Sequence, residues 1–261
     1  ADGAAPPPQL LGIALYTPRL VEVRMPRRRI DLHAELAPGG RLAAAAPAAP
    51  GGGGARQHHR LFLQQLPCSW GSLFFPGPWR AFHAYMQRRI HGGARGVQIP
   101  ASATNGWSTS WKKFLIELMW LKGWVTLYPS FFNQTSFSTN HLEPGEHIGG
   151  KANTLKHRPI DFVVPLMDDA AMLRQLWADT DAEQAAGAED GENGDGADGG
   201  EGGDAQGGGA ARLRLRLPPP LSELPLLDLF SEPSTPLNLV MRGSAAISQQ
   251  PELAAAVEGL V

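Results

Sequence analysis

"NGWSTSWKKFLIELMWLKGWVTLYP" occupies residues 105–129. In its middle, Trp111, Leu115, Leu118 and Met119 recur at helical spacing, the pattern of a helix with one buried stripe. The spacing predicts a helix from about Ser108 to Lys122. Ser108 or Thr109 would cap it, because a hydroxyl there accepts a bond from an unpaired N–H of the first turn. Gly123 marks the stop, since glycine takes the left-handed conformation that ends many helices. "WVTLY" then reads as a short buried strand ended by Pro129, which lacks an N–H for a ladder. The fold class expected is α/β, a mixed sheet with flanking helices, interrupted by two disordered low-complexity inserts.

The flanking sequence fits that plan. Residues 1–10 are an Ala/Pro lead-in, and a domain is expected over 11–178. "LLGIALYTPRLVEV" predicts a buried strand and then a loop, with Pro18 stopping the strand. Residues 37–55 are nearly all Ala, Pro and Gly, with no apolar period, and read as a flexible insert. "WRAFHAYMQRRI" places Trp79, Phe82, Tyr85, Met86 and Ile90 on one helical face, ended by Gly92 and Gly93. "IDFVVPLM" (160–167) predicts a strand or an extended docking segment, and "DDAAMLRQLW" a short helix. An acidic, Gly-rich insert follows over 179–211. The strict alternation of "RLRLRL" suits an edge strand with one basic face. Residues 212–261 read as a Pro-rich C-terminal extension with a weak final helix.

Composition narrows the class. The chain has 261 residues, with 23 Pro and 31 Gly, 17 of the glycines in the two inserts. Its single cysteine, Cys68, excludes an intrachain disulfide and a cysteine-rich zinc site. No run approaches the ~20 apolar residues of a membrane helix. The first residue is alanine, so a fragment or processed chain is expected, with any targeting or anchoring segment outside it. Net charge is −2, but nine of the 25 acidic residues lie between Asp181 and Asp204. The rest of the chain carries 23 basic against 16 acidic residues, a balance that suits a phosphate-bearing or otherwise anionic ligand.

Several residues are candidates for chemistry. Trp70 and Trp107 sit in "CSWGS" and "NGWSTS", among small polar residues, and either line a ligand pocket or pack as core. Trp79, Trp111 and Trp120 read as core. Glu117 lies four residues after Lys113, which predicts a surface ion pair. It also borders the apolar stripe, where a half-buried carboxylate can act as a base. "SFSTNHLEPGEHI" (136–148) gathers Asn140, His141, Glu143, Glu146 and His147. Pro144–Gly145 prevents a helix there, and the HExxH zinc motif is absent. The loop offers one or two ligands to a hard divalent ion, hydrogen bonds to sugar hydroxyls, or an ordered turn. Asn133-Gln134-Thr135 is a glycosylation sequon, common by chance. Asp168–Asp169 and Asp179/Asp181 are weak metal motifs.

The order of "GIALYTPRL", "LPCSWGSLFFPGPWRAF", "NGWSTSWKKFLIELMWLKGWVTLYP" and "SFSTNHLEPG" resembles the C-terminal half of a GT-A-type nucleotide-sugar glycosyltransferase, over roughly residues 11–167. The resemblance implies sugar transfer from a nucleotide-sugar donor to a glycan or protein acceptor, with no nucleic-acid partner. It implies a divalent cofactor (Mn or Mg) with His141 as ligand. By this likeness Trp70 and Trp107 would face the sugar or acceptor, while Asn140 and Glu143 are expected as sugar-hydroxyl contacts from the loop's own polar residues. It also implies residence in the Golgi or ER lumen, with any membrane anchor outside this chain. The family's donor-binding half and Asp-x-Asp motif would precede residue 1. Its base at the start of the acceptor helix has no counterpart, since "TNGWSTSWKK" holds no carboxylate, which leaves Glu117 as the substitute base. The competing expectation is a non-catalytic carbohydrate-binding or scaffold module.

The two inserts contain too little apolar surface to offset the entropy of ordering them. Limited proteolysis is therefore expected to cut first within 37–55 and 179–211. Protection of both, with cleavage inside "SWKKFLIELMW" instead, would overturn this domain map.

Overall fold

The structure, a computed structural model, describes residues 8–37, 39–43, 61–92, 96–108, 110–140, 163–167 and 220–260. Residues 1–166 and 220–261 form one compact unit. A second spans 167–219, of which only Met167 is described. Most of both proposed inserts, the "DDAAMLRQLW" helix and the "RLRLRL" strand lie outside the described residues, but the start of the first insert is packed, with Leu42 buried and Arg41 bonded to Glu35 and Glu232.

The first unit is α/β, as expected. Its strands are β1 (Leu10–Ala14), β2 (Leu20–Val21), β3 (Arg28–Arg29), β4 (Leu61–Gln64), β5 (Ser72–Phe74), β6 (Val125–Pro129) and β7 (Leu226–Leu227). Its helices are α1 (Leu32–Leu36), α2 (Pro76–His91), α3 (Trp111–Lys122), α4 (Pro236–Gln249) and α5 (Pro251–Val257). The main sheet runs β5-β1-β6-β4-β7, and β2 and β3 pair separately. β1 and β6 are parallel, β5 and β4 are antiparallel to them, and β7 runs parallel to β4. β6 is almost wholly buried, as a central strand covered on both faces must be.

The stretch 105–129 folds largely as its pattern dictates. α3 runs to Lys122, and Gly123 follows at φ 67°, left-handed. The helix starts later than expected, at Trp111, with Ser110 as N-cap and no side-chain cap bond. The strand is Val125–Pro129, and Pro129 pairs with Leu61 at its end. α2 begins earlier than its apolar face suggested, because Pro76 and Pro78 fit a first turn whose N–H groups have no intrahelical partner. Its buried face is Ala81, Phe82 and Tyr85.

Two of the tryptophans read as core are not enclosed. Trp79 and Trp111 are each 40% exposed, whereas Trp120 is buried. Trp79 stacks on Phe74 at 4.8 Å, with Trp111 edge-on at 6.3 Å. Both sit near helix starts, where their rings meet each other and Phe82 between α2 and α3 yet stay partly in solvent. Ile90, at the far end of α2, is exposed as well.

The segment read as a C-terminal extension belongs to the same unit. β7 extends the sheet beside β4, and α4 packs against α3. The approach is close: a Cβ on Gly243 would lie 2.2 Å from the Leu121 carbonyl oxygen. Thr235 caps α4 by accepting a bond from the Asn238 N–H. Buried Asp228 accepts the N–H groups of Phe230 and Glu232 and a bond from Arg242. Arg88 of α2 donates to the Ala255, Ala256 and Glu258 carbonyls at the end of α5, where a cation complements the helix dipole. Of 160–167, the described part is extended and makes one bridge, Leu166 to Ser136.

Candidate functional site

Parallel strands place their carboxyl ends together, and ligands of open α/β sheets bind beyond such ends. In this chain the ends of β1 and β6 carry the connections to Tyr16 and Ser130. The two are tied tightly. Thr17 donates its hydroxyl to the Pro129 carbonyl at 3.2 Å. Ser136 donates to the Leu15 carbonyl at 2.7 Å and accepts the Thr17 N–H at 2.9 Å. The segment leaving β6 is thereby clamped across the turn that follows β1. It continues to Asn140, which is buried. His141, Glu143, Glu146 and His147 lie outside the described residues.

Next to that turn lies a small cavity of about 20 Å³, room for one or two ordered waters. Tyr16, Glu22, Cys68, Trp70, Lys112 and Tyr128 are among its walls. Tyr16 and Trp70 meet edge to face at 5.1 Å. Trp70 is held by its own turn. The Cys68 thiol donates to the Trp70 carbonyl at 2.9 Å, and Ser72 donates to the Cys68 carbonyl at 2.8 Å. Burial pushes the Cys68 thiol up, so it packs as a small hydrophobe rather than as a reactive thiolate. Gly71, at φ +62°, carries the chain into β5. A Cβ there would meet the Ser138 hydroxyl at 2.3 Å.

Lys112 bonds to Glu22 across this cavity. Lys112 is only 8% exposed. It sits in the first turn of α3, where a cation opposes the helix dipole. Its neighbour Lys113 resolves the same conflict differently, donating to the Trp107 carbonyl at 2.9 Å and the Asn105 carbonyl at 3.3 Å. Sequence reasoning missed Glu22. The available signal was an acidic residue between two apolar ones in "LVEV", together with two lysines at a helix start that has no acidic residue.

The sequence candidates separate. Trp70 lines the cavity, but Trp107 does not; it packs, partly buried, against the core. Glu117 faces neither the cavity nor Lys113. It is 2% exposed and meets α2, where Arg89 Nε donates to it at 2.9 Å and the Tyr85 hydroxyl at 3.1 Å. Arg89 Nη2 reaches its other oxygen at 3.4 Å. Burial, followed by the nearby Glu117 carboxylate, pushes the Tyr85 phenol well up. Burial alone would lower the Arg89 guanidinium, but its bonds to Glu117 outweigh that and raise it. Gly96 covers the cluster, since a Cβ there would lie 2.7 Å from Glu117 Oε1. The spacing pointed to Lys113 as partner because the sequence alone does not show that α2 covers this face of α3.

Among the described residues, no three His, Cys, Asp or Glu side chains come together as a metal site, and no helix is long and apolar enough to cross a membrane. Comparison with protein-family models, curated proteins and solved structures gives no match.

Removing one partner of a buried ion pair leaves the other charge uncompensated, at a cost of about 3–5 kcal/mol. Glu117→Ala is expected to lose stability on that scale in urea unfolding, and Glu117→Ala/Arg89→Met to lose less than the two single changes together. A Glu117→Ala protein as stable as the wild type would show that the cluster does not hold α2 on α3.

Proposed function

We propose that this chain is a glycosyltransferase-like domain that transfers a sugar from a nucleotide-sugar donor to an acceptor hydroxyl. The observation that supports it is the partly exposed Trp70 beside the Glu22–Lys112 pair, near the carboxyl ends of β1 and β6. Aromatic faces pack against the C–H surface of a sugar ring, and a few fixed polar groups orient its hydroxyls. Transfer needs a carboxylate to take the acceptor proton as the new glycosidic bond forms. The leaving nucleotide phosphate then departs with the electron pair of the broken bond. Asn140, Glu143 and a divalent ion at His141 belong to the same proposal.

One observation favours a second reading. Both oxygens of Glu117 are engaged by α2, so the expected base is not available to an acceptor. A carbohydrate-binding module needs the aromatic wall but no base.

The test is a titration with methyl glycosides of glucose, galactose, mannose, xylose and N-acetylglucosamine, followed by saturation-transfer NMR. At least one should bind the wild type. Binding should fall about tenfold or more in Trp70→Ala, while Trp107→Ala retains it. Nucleotide release from a panel of nucleotide sugars, dependent on the bound glycoside, supports transfer; binding without release supports the module. No binding of any glycoside to a folded wild-type protein overturns both readings.

A further inference from the structure

One row of apolar side chains crosses the main sheet from edge to edge. The register sets Leu226, Leu63, Leu127, Ile13 and Leu73 in line across β7, β4, β6, β1 and β5. Side chains alternate along a strand, and Phe62, Phe74 and Tyr128 point the opposite way, into the layer of α2 and α3. Cover along the row is uneven. Leu226 and Leu63 are buried, packed with Leu224 and Leu239. Leu127 and Ile13 are only half-buried, and Leu73 is 56% exposed. Leu15, two positions beyond Ile13 on the same face, is 42% exposed. Phe137 donates its N–H to the Leu15 carbonyl and is 51% exposed beside it.

A sheet with a parallel central pair is normally covered on both faces. Here the cover runs out between β6 and β5. The open end also lacks charge: β1, β4, β5 and β6 contain no charged residue. β5 is the edge strand of the sheet, and edges that face water usually carry a charge that blocks pairing. The open apolar surface is on the order of 400 Å², at the size where a patch marks an interaction site. One side of a standard interface buries about 800 Å², somewhat over half of it apolar. The patch therefore matches one side of such an interface.

An uncharged apolar face is the composition of a permanent interface, a core cut in half. A two-fold axis lays such a patch against its own copy, and no charge is left unmatched. We propose that this chain is a homodimer in which the β5–β1 ends of two sheets pack face to face, with Leu15, Leu73 and Phe137 at the centre. Sheets packed in this way keep their strand directions within about 30° of each other. The inference does not rest on the sugar-binding reading, since the Glu22–Lys112 pair is anchored on α3, on the other side of the sheet.

The experiment is sedimentation velocity of the full chain across about 1–100 μM, the range of ordinary weak to moderate affinities. The wild type should reach twice the 28.0 kDa of one chain. Leu73→Arg and Phe137→Arg put a charge at the centre of the interface, and each should raise the dissociation constant about 10- to 100-fold. Circular dichroism verifies folding, and the milder Leu73→Ser/Phe137→Ser double variant replaces an arginine variant that fails to fold. Met241→Arg, on the exposed face of α4, should leave the dimer intact. A wild type that stays monomeric at the highest concentration overturns the proposal and assigns the face to another part of the chain or to a different protein. A dimer that the Leu73 and Phe137 variants leave unchanged overturns it as well.

Discussion

Helix α3 is buried on nearly every side, yet it carries two charges into the interior. An uncompensated buried charge costs several kcal/mol after relaxation, so the fold must bring an opposite charge to each. Glu117 receives Arg89 and Tyr85 from α2, and Lys112 receives Glu22 from the segment after β2. These two demands fix where α2 lies and where the chain beyond β1 must pass. α4 closes another side through the contact at Gly243, where only a hydrogen fits.

The two ion pairs differ in burial as well as in saturation, since the Glu117 side chain is 2% exposed and that of Glu22 is 20%. The Glu117 cluster matches both carboxylate oxygens and is sealed by the backbone at Gly96, as expected of groups that hold helices together. The Lys112 pair leaves both donor and acceptor capacity facing a cavity walled by Tyr16 and Trp70. Water can reach the partly exposed Glu22, whereas the Glu117 cluster is closed by protein.

Local pattern carried the helix–glycine–strand unit of residues 105–129. Its period, its left-handed Gly123 and its terminal proline are all encoded within a few residues of where they act. Partners distant in the chain were not legible. Glu117 looked paired with Lys113 because i to i+4 contacts are the ones a sequence displays, whereas Arg89 arrives from 28 positions away. Glu22 was hidden in an alternating apolar stretch, and Lys112 reaches it across 90 positions. β7 is two residues long, too short for any period to register. Helical spacing puts Trp79 and Trp111 on an apolar stripe but does not report how much of each ring its neighbours cover. Trp70 and Trp107 carried the same signal of small polar neighbours, and both are partly buried against the core, with Trp70 also bordering the cavity.

The central claim is that Glu117 is structural, held by Arg89 and Tyr85 and closed to any ligand. The most direct measurement is side-chain carboxyl carbon NMR of the glutamate-labelled protein, with Glu117 assigned by substitution, during titration with methyl glycosides. The account predicts a stationary Glu117 signal while a glycoside binds. A saturable shift of the Glu117 carboxyl carbon would contradict it.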